Sequence, residues 1–403
     1  MSDVPQSSSL PPSVPPPGTG PGSYRPVPSP RPLPPPPNGR SPFLGCAFAL
    51  SFAVNLLGVV VVALVCLGFL FKGKSESGPL AEQHYSGKRG ADDKVAIITV
   101  DGVLLEGMLG YAHKQIEQAA TDKHVKAVVV RINSPGGSIT ASDDLHRKLI
   151  ELRDGDSKKN RAKHPLIVSM GAMAASGGYY IAMPGETLFA ERTTVTGSIG
   201  VYSSFPNVKK LADTYGVKMN TIKQGEIKDS GSPFAEMTEH ERQVWQDMVD
   251  TAYQHFVGIV ETGRPMLAGG KLLNPLMIQP VNPKPEFLKK GEAPPQSYRR
   301  YLADGGVWTA ENALKYQLVD KIGTLDDAIQ LAHDKAGLGE NYESIKYERP
   351  NSFFDVLGLG AKSHTGTSGS VLDPARLEAA FSPRVWYLMP GAETSSLFAA
   401  MRE

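Results

Sequence analysis

Along this chain, apolar positions alternate between short β-branched runs and longer stretches with helical spacing. Val95–Val100 and Val125–Ile132 are almost continuously apolar and β-branched, which predicts two buried strands. The stretch between them, up to Ala120, is amphipathic. Ser138–Leu152 has helical spacing, with Leu145, Leu149 and Leu152 on one face. Leu166–Met170 predicts a third strand, and the small residues after it predict a helix opening at Ser176. Met219–Ile222 is strand-like. Thr238-x-x-Glu241 is a capping box opening a long helix, with Trp245, Met248, Ala252, Phe256 and Ile259 on one face as core or subunit contact. Another βα-like unit runs from Gly306 to Ala336. Repeated short βα units imply an α/β fold with a mostly parallel sheet and helices packed on it.

Other segments lack this texture. Residues 1–42 hold 16 of the 33 prolines, mixed with Ser and Gly, and are expected to be a disordered, partly polyproline II tail. Phe43 to Phe71 carries no charge. As a helix it would span roughly 43 Å, enough to cross a hydrocarbon core of about 30 Å with some tilt. It reads as an uncleaved transmembrane anchor, since no small-x-small cleavage site follows it. Arginines precede it and lysines follow it, so flanking charge selects no orientation. Residues 72–93 read as a linker and 94–350 as the folded domain. Residues 265–300 read as an inserted loop rich in Pro, Gly and Lys, and 351–403 as a peripheral C-terminal segment.

Composition narrows the chemistry. A formal net charge of +1 gives no argument for nucleic acid or another polyanion. The two cysteines, Cys46 and Cys66, both lie in the apolar segment. The rest of the chain therefore has no disulfide, no Cys-ligated zinc and no thiol nucleophile. No His/Cys cluster or phosphate-binding glycine loop is present, so no metal or organic cofactor is implied.

Three segments carry candidate chemistry. In Arg131-Ile-Asn-Ser-Pro-Gly-Gly137, Gly136 and Gly137 allow a sharp turn after a strand and expose backbone N–H groups to a developing oxyanion. In Met170-Gly-Ala-Met-Ala-Ala-Ser-Gly-Gly-Tyr-Tyr180, Ser176 sits between strand and helix, near the positive end of the helix dipole. The N–H of Gly177 can join Gly136 or Gly137. Ala174 replaces the first glycine of the G-x-S-x-G elbow, so this is a different turn. In Lys223-Gln-Gly-Glu-Ile-Lys-Asp229, Lys228 can act as a base only when neutral, which requires exclusion of water around its amine. The apolar Ile227 and Met219–Ile222 make partial burial the expectation. No histidine lies between His164 and His240, where a histidine base following Ser176 would fall.

Together with Thr196-Gly-Ser-Ile-Gly-Val201 and Gly306-Val-Trp-Thr309, these segments resemble the signal peptide peptidase A family of membrane-bound Ser–Lys proteases, over roughly Lys94 to Ala336. The resemblance implies a Clp/crotonase-like spiral of ββα units. It implies Ser176 as nucleophile, Lys228 as general base, Ser198 as orienting partner of the lysine amine, and an oxyanion hole from Gly136 or Gly137 with Gly177. It further implies hydrophobic peptide substrates such as cleaved signal peptides. The expected setting is a bacterial cytoplasmic membrane, with a single-pass anchor and the protease domain outside. Larger relatives carry two tandem copies that share the site. A single-copy chain would then share its site between neighbours in a ring, for which the resemblance favours eight copies. Two departures are the long 265–300 segment and Glu226, whose charge close to Lys228 would oppose loss of the proton. The alternatives are a non-catalytic membrane scaffold on the same fold and a crotonase-type acyl-CoA enzyme.

Overall fold

The computed structural model of the chain describes residues 55–56, 79–159, 161–280, 296–348 and 385–388. The expected tail, nearly all of the expected anchor and most of the 351–403 segment lie outside the described residues. Among the described residues no helix is long and apolar enough to cross a membrane.

The strands are β1 Glu82–Gly87, β2 Asp93–Asp101, β3 Val125–Ser134, β4 Gly136–Ser138, β5 Leu166–Ala175, β6 Thr187–Ala190, β7 Val195–Gly197, β8 Tyr202–Ser203, β9 Leu276–Ile278, β10 Tyr298–Arg300, β11 Val307–Thr309, β12 Lys321–Ile322, β13 Tyr342–Tyr347 and β14 Val385–Leu388. The helices are α1 Gly110–Thr121, α2 Ile139–Asp154, α3 Gly177–Tyr180, α4 Lys209–Thr214, α5 Glu239–Gly263, α6 Ala310–Lys315 and α7 Leu325–Lys335. The main sheet has the order β1-β13-β2-β3-β5-β6-β12, with β7 beside the far end of β5 and β11 beside β7. Its ladders are parallel except β1–β13 and β11–β7. This agrees with the mostly parallel sheet expected from the βα repeats.

The continuous apolar runs of β2 and β3 follow from burial on both faces. Alternate residues face opposite ways. Ala96, Ile98, Val128, Val130, Val168 and Met170 enter the larger core with Leu145, Leu149 and Phe256. Val95, Ile97, Ala127, Val129 and Ile167 instead meet Ala328, Ile329 and Ala332 of α7. Helices therefore cover both sides, and the C-terminal ends of β3 and β5 lead directly into the candidate site.

Four expectations change. The expected 72–93 linker contains β1, which pairs with β13 at the edge of the main sheet, and buried Leu80 and Ala91. Met219–Ile222 forms no strand, and Ile222 is fully exposed. The buried face of α5 is Phe256, Val257 and Val260, with half-buried Tyr253 beside it, while Met248 is exposed; the N-terminal half of α5 leaves the core, so the Trp245–Ile259 stripe is not one buried face. The 265–300 segment is more than a loop, because Leu267, Leu272 and Ile278 are buried and β9 pairs antiparallel with β10.

Candidate active site

The site grows from the ends of three strands. β3 passes through Ser134 and Pro135 into β4, and the Ser134 hydroxyl accepts the N–H of Gly136 at 3.1 Å. β4 lies beside Leu104, whose N–H donates to the Gly136 carbonyl and whose carbonyl accepts the N–H of Ser138. A Cβ on Gly137 would lie 2.0 Å from the Leu104 carbonyl oxygen, so only glycine fits this approach. Ser138 then caps α2 by accepting the N–H of Ala141 at 3.1 Å.

β5 ends at Ala175, and Ser176 follows at φ 55°, ψ −118°. Such a conformation in a residue with a side chain costs about 1–3 kcal/mol and persists only where its surroundings enforce it. Here the Ser176 N–H donates to the Gly197 carbonyl at 2.7 Å, and the Ser176 carbonyl accepts the N–H groups of Tyr179 and Tyr180 at 2.9 Å each. The two tyrosines anchor the turn: Tyr179 donates its hydroxyl to the Leu318 carbonyl and Tyr180 to Asp143, both at 2.7 Å. Leu318 belongs to a segment held by an ion pair between buried Arg264 and Asp320. Burial alone would raise the Asp320 carboxyl pKa, but the Arg264 guanidinium and the Leu188 N–H outweigh it and hold that pKa below the usual range. α3 is a single turn, so the helix dipole expected at Ser176 is small; the enforced turn is the larger effect.

Ser176 is 1% exposed, and its Oγ has no hydrogen-bond partner among the described residues. The structure brings Ser176, Gly177, Gly197 and Ser198 together around the β5–β7 ladder. With the Gly136 N–H already given to Ser134, Gly137 and Gly177 are the better-suited oxyanion donors of the expected set. Ser198 adopts φ 54° and donates its hydroxyl to the Gly305 carbonyl at 2.9 Å. Its N–H goes to Gly306. The Ser198 lone pairs remain able to accept a further N–H. The Gly305 and Gly306 carbonyls were not foreseen from sequence, since a backbone acceptor leaves no residue-type signature.

Lys228 is not hydrogen-bonded to Ser176. It lies exposed in the turn that follows Gly225. The turn is held from elsewhere. Lys223 Nζ donates to the Glu226 carbonyl at 2.7 Å and to Asp229 at 2.5 Å. That ammonium, through its hydrogen bond, holds the Asp229 carboxyl below its ordinary pKa. Ser230 accepts from the Trp245 indole, and Trp245 packs on Phe205 at 4.7 Å. The Glu226 carboxylate lies 3.9 Å from His240 Nδ1. Around the turn, Tyr215 is 77% exposed and Ile222 fully exposed.

The profile of peptidase family S49 matches residues 158–269 and 289–339, which include Ser176, Ser198 and Lys228. The chain is 33% identical to a putative protease of Synechocystis over 61% of its own length and 75% of that protein. It is 30% identical to a putative signal peptide peptidase of Enterococcus faecium, over 68% of its length and 72% of that protein. It is 30% identical to protease 4 of Salmonella typhi over 72% of its own length but only 42% of that longer protein. The chain belongs to peptidase family S49.

Proposed function

We propose that this protein is a membrane-anchored serine endopeptidase acting by acyl transfer. The observation that carries the reading is Ser176: a buried hydroxyl with no partner among the described residues, on an enforced turn whose following helix, opened by Gly177, packs on β4. In the reaction, neutral Lys228 removes the proton as Ser176 Oγ attacks a peptide carbonyl. The oxyanion is held by the Gly137 and Gly177 N–H groups, and the lysine then protonates the leaving amine. Water hydrolyses the resulting ester. No metal or organic cofactor enters these steps.

Within one chain no hydrogen bond joins the lysine to the serine. We infer that Lys228 comes from a neighbouring copy, in a ring closed by a head-to-tail contact. The exposed apolar side chains of Tyr215, Met219 and Ile222, which precede the Lys228 turn in sequence, support that contact. Ser198, with lone pairs to spare, would receive and orient the incoming amine. Segment 43–71 is proposed as the anchor in a bacterial cytoplasmic membrane with the protease domain outside. Hydrophobic peptides such as cleaved signal peptides are proposed as substrates, in keeping with the name of the Enterococcus relative.

A non-catalytic scaffold is the reading that the lack of a Ser176–Lys228 hydrogen bond within one chain would favour. Full-length protein treated with a fluorophosphonate probe separates the two. A single adduct on Ser176, absent from Ser176→Ala, is expected; an unlabelled wild-type protein would decide for the scaffold.

A further inference from the structure

α3 is a single turn, and a helix so short makes too few internal hydrogen bonds to fix its own position. What it packs against decides where it lies. At one end, a Cβ on Gly178 would be 2.5 Å from the Ser134 carbonyl oxygen, so the α3 backbone rests directly on the end of β3. At the other end, fully buried Tyr180 donates its hydroxyl to Asp143 at 2.7 Å. His146 of α2 meets the Tyr180 ring edge-on at 5.0 Å, and Phe256 of α5 packs on it at 5.2 Å.

Asp143 stands in the second turn of α2, the helix capped by Ser138, and Ser138 directly follows Gly137. The two N–H groups assigned to the oxyanion therefore open two different segments. Gly137 leads into α2 and Gly177 into α3, and the Tyr180–Asp143 bond ties one segment to the other. His255 of α5 brings Nε2 to 3.6 Å from the same Asp143 oxygen. The Asp143 side chain is about half exposed, so water could satisfy its charge without the tyrosine. What the bond supplies is a fixed distance between α2 and α3.

We propose that Asp143 is a positioning residue for acyl transfer: through Tyr180 it sets the separation of the Gly137 and Gly177 N–H groups, and so the width of the oxyanion hole. This rests on the reading of Ser176 as nucleophile and of those two groups as its oxyanion donors. Both donors must reach one oxygen at about 2.7–3.1 Å, and that oxygen carries its charge only in the transition state. A shift of one segment against the other therefore lowers kcat and leaves substrate binding alone.

The test compares full-length wild type with Asp143→Ala, Asp143→Asn, Tyr180→Phe and the double variant Asp143→Ala/Tyr180→Phe. One fluorogenic apolar peptide gives kcat and KM separately. The aldehyde of the same peptide reports on the hole itself, because its hemiacetal with Ser176 places an oxygen where the oxyanion forms. Asp143→Ala and Tyr180→Phe should each lower kcat about 10–100-fold, with KM within about twofold of wild type. Aldehyde affinity should fall by a similar factor. The double variant should be no worse than either single one, because all three lose the same bond. Asp143→Asn keeps a carbonyl that accepts the tyrosine hydroxyl, and should stay within about threefold of wild type. Wild-type kcat in Tyr180→Phe, or a loss in Asp143→Asn equal to that in Asp143→Ala, would overturn the positioning role. The fluorophosphonate probe separates this from the peptidase reading. An active, labelled wild type with unaffected variants overturns the positioning role alone; a wild type that neither takes up the probe nor turns over peptide overturns both.

Discussion

The backbone N–H of Ser176 donates to the carbonyl of Gly197 across 2.7 Å, tying the turn of the proposed nucleophile to the strand that leads into Ser198. Gly197 adopts φ 77°, and a Cβ there would lie 2.6 Å from the Trp308 ring. Trp308 is itself buried, so it has little room to yield.

Gly197→Ala should therefore displace β7 and, through it, Ser176. The expected cost is about 1–3 kcal/mol of stability from backbone strain and overpacking. A drop of about 100-fold in kcat/KM should accompany it, as misplacing a reacting group does. Urea unfolding and peptide turnover on the same preparation check both; full activity would show that the Ser176–Gly197 bond does not position the nucleophile.

Substitutions at the two proposed reacting residues should separate stability from activity. Ser176→Gly relieves the positive φ and should raise stability by about 1 kcal/mol while abolishing turnover. Lys228→Ala removes an exposed side chain, so its stability should stay within about 0.5 kcal/mol of wild type, yet turnover should vanish with it. Ser198→Ala should lose about 10–100-fold, because it orients the amine and does not itself react. Near-normal turnover by folded Lys228→Ala would refute the lysine base.

A lysine base also sets a pH profile. It must be unprotonated in the free enzyme, so kcat/KM should climb toward alkaline pH. A profile flat from pH 5 upward would contradict it.

Stability has its own pH dependence, centred on His146. Burial lowers its pKa from 6.5 to about 4, against the opposing charge of Asp143 and alongside His255. The folded state holds it neutral while the unfolded chain takes up a proton below 6.5. Stability is therefore complete above pH 6.5, falls as pH drops from 6.5 to about 4, and falls no further from this group below that. The loss is about 3 kcal/mol. Chemical unfolding at stepped pH should show this slope, reduced in His146→Leu; an unchanged slope would remove His146 from the account.

The parts of the fold legible in sequence are those decided locally. β2 and β3 show as unbroken β-branched runs because both their faces are covered, and Thr238 and Glu241 make both bonds of the expected capping box. The segment Ala174-Ala175-Ser176-Gly177 marked the turn correctly because only small residues allow it. What failed depended on partners that sequence spacing does not reveal. Met219–Ile222 has strand composition but no neighbouring strand among the described residues, and strand propensity has little force without one. The Trp245–Ile259 stripe has helical spacing, yet only the C-terminal half of α5 meets the core. β14 lay in a segment of weak pattern, and its place beside Gly137 is a matter of tertiary pairing. Partial burial of Lys228 is expected from its apolar neighbours, but Met219 and Ile222 are exposed and half-buried Ile227 alone does not cover it.

The central claim is that Ser176 of one chain works with Lys228 of another, and complementation tests it most directly. Ser176→Ala and Lys228→Ala proteins, each inactive alone, are mixed under conditions of demonstrated subunit exchange, and peptide hydrolysis is followed. Recovery of partial activity is predicted, because some neighbours then pair an intact serine with an intact lysine. No recovery despite exchange, or full wild-type activity in a proven monomer, would contradict the shared site.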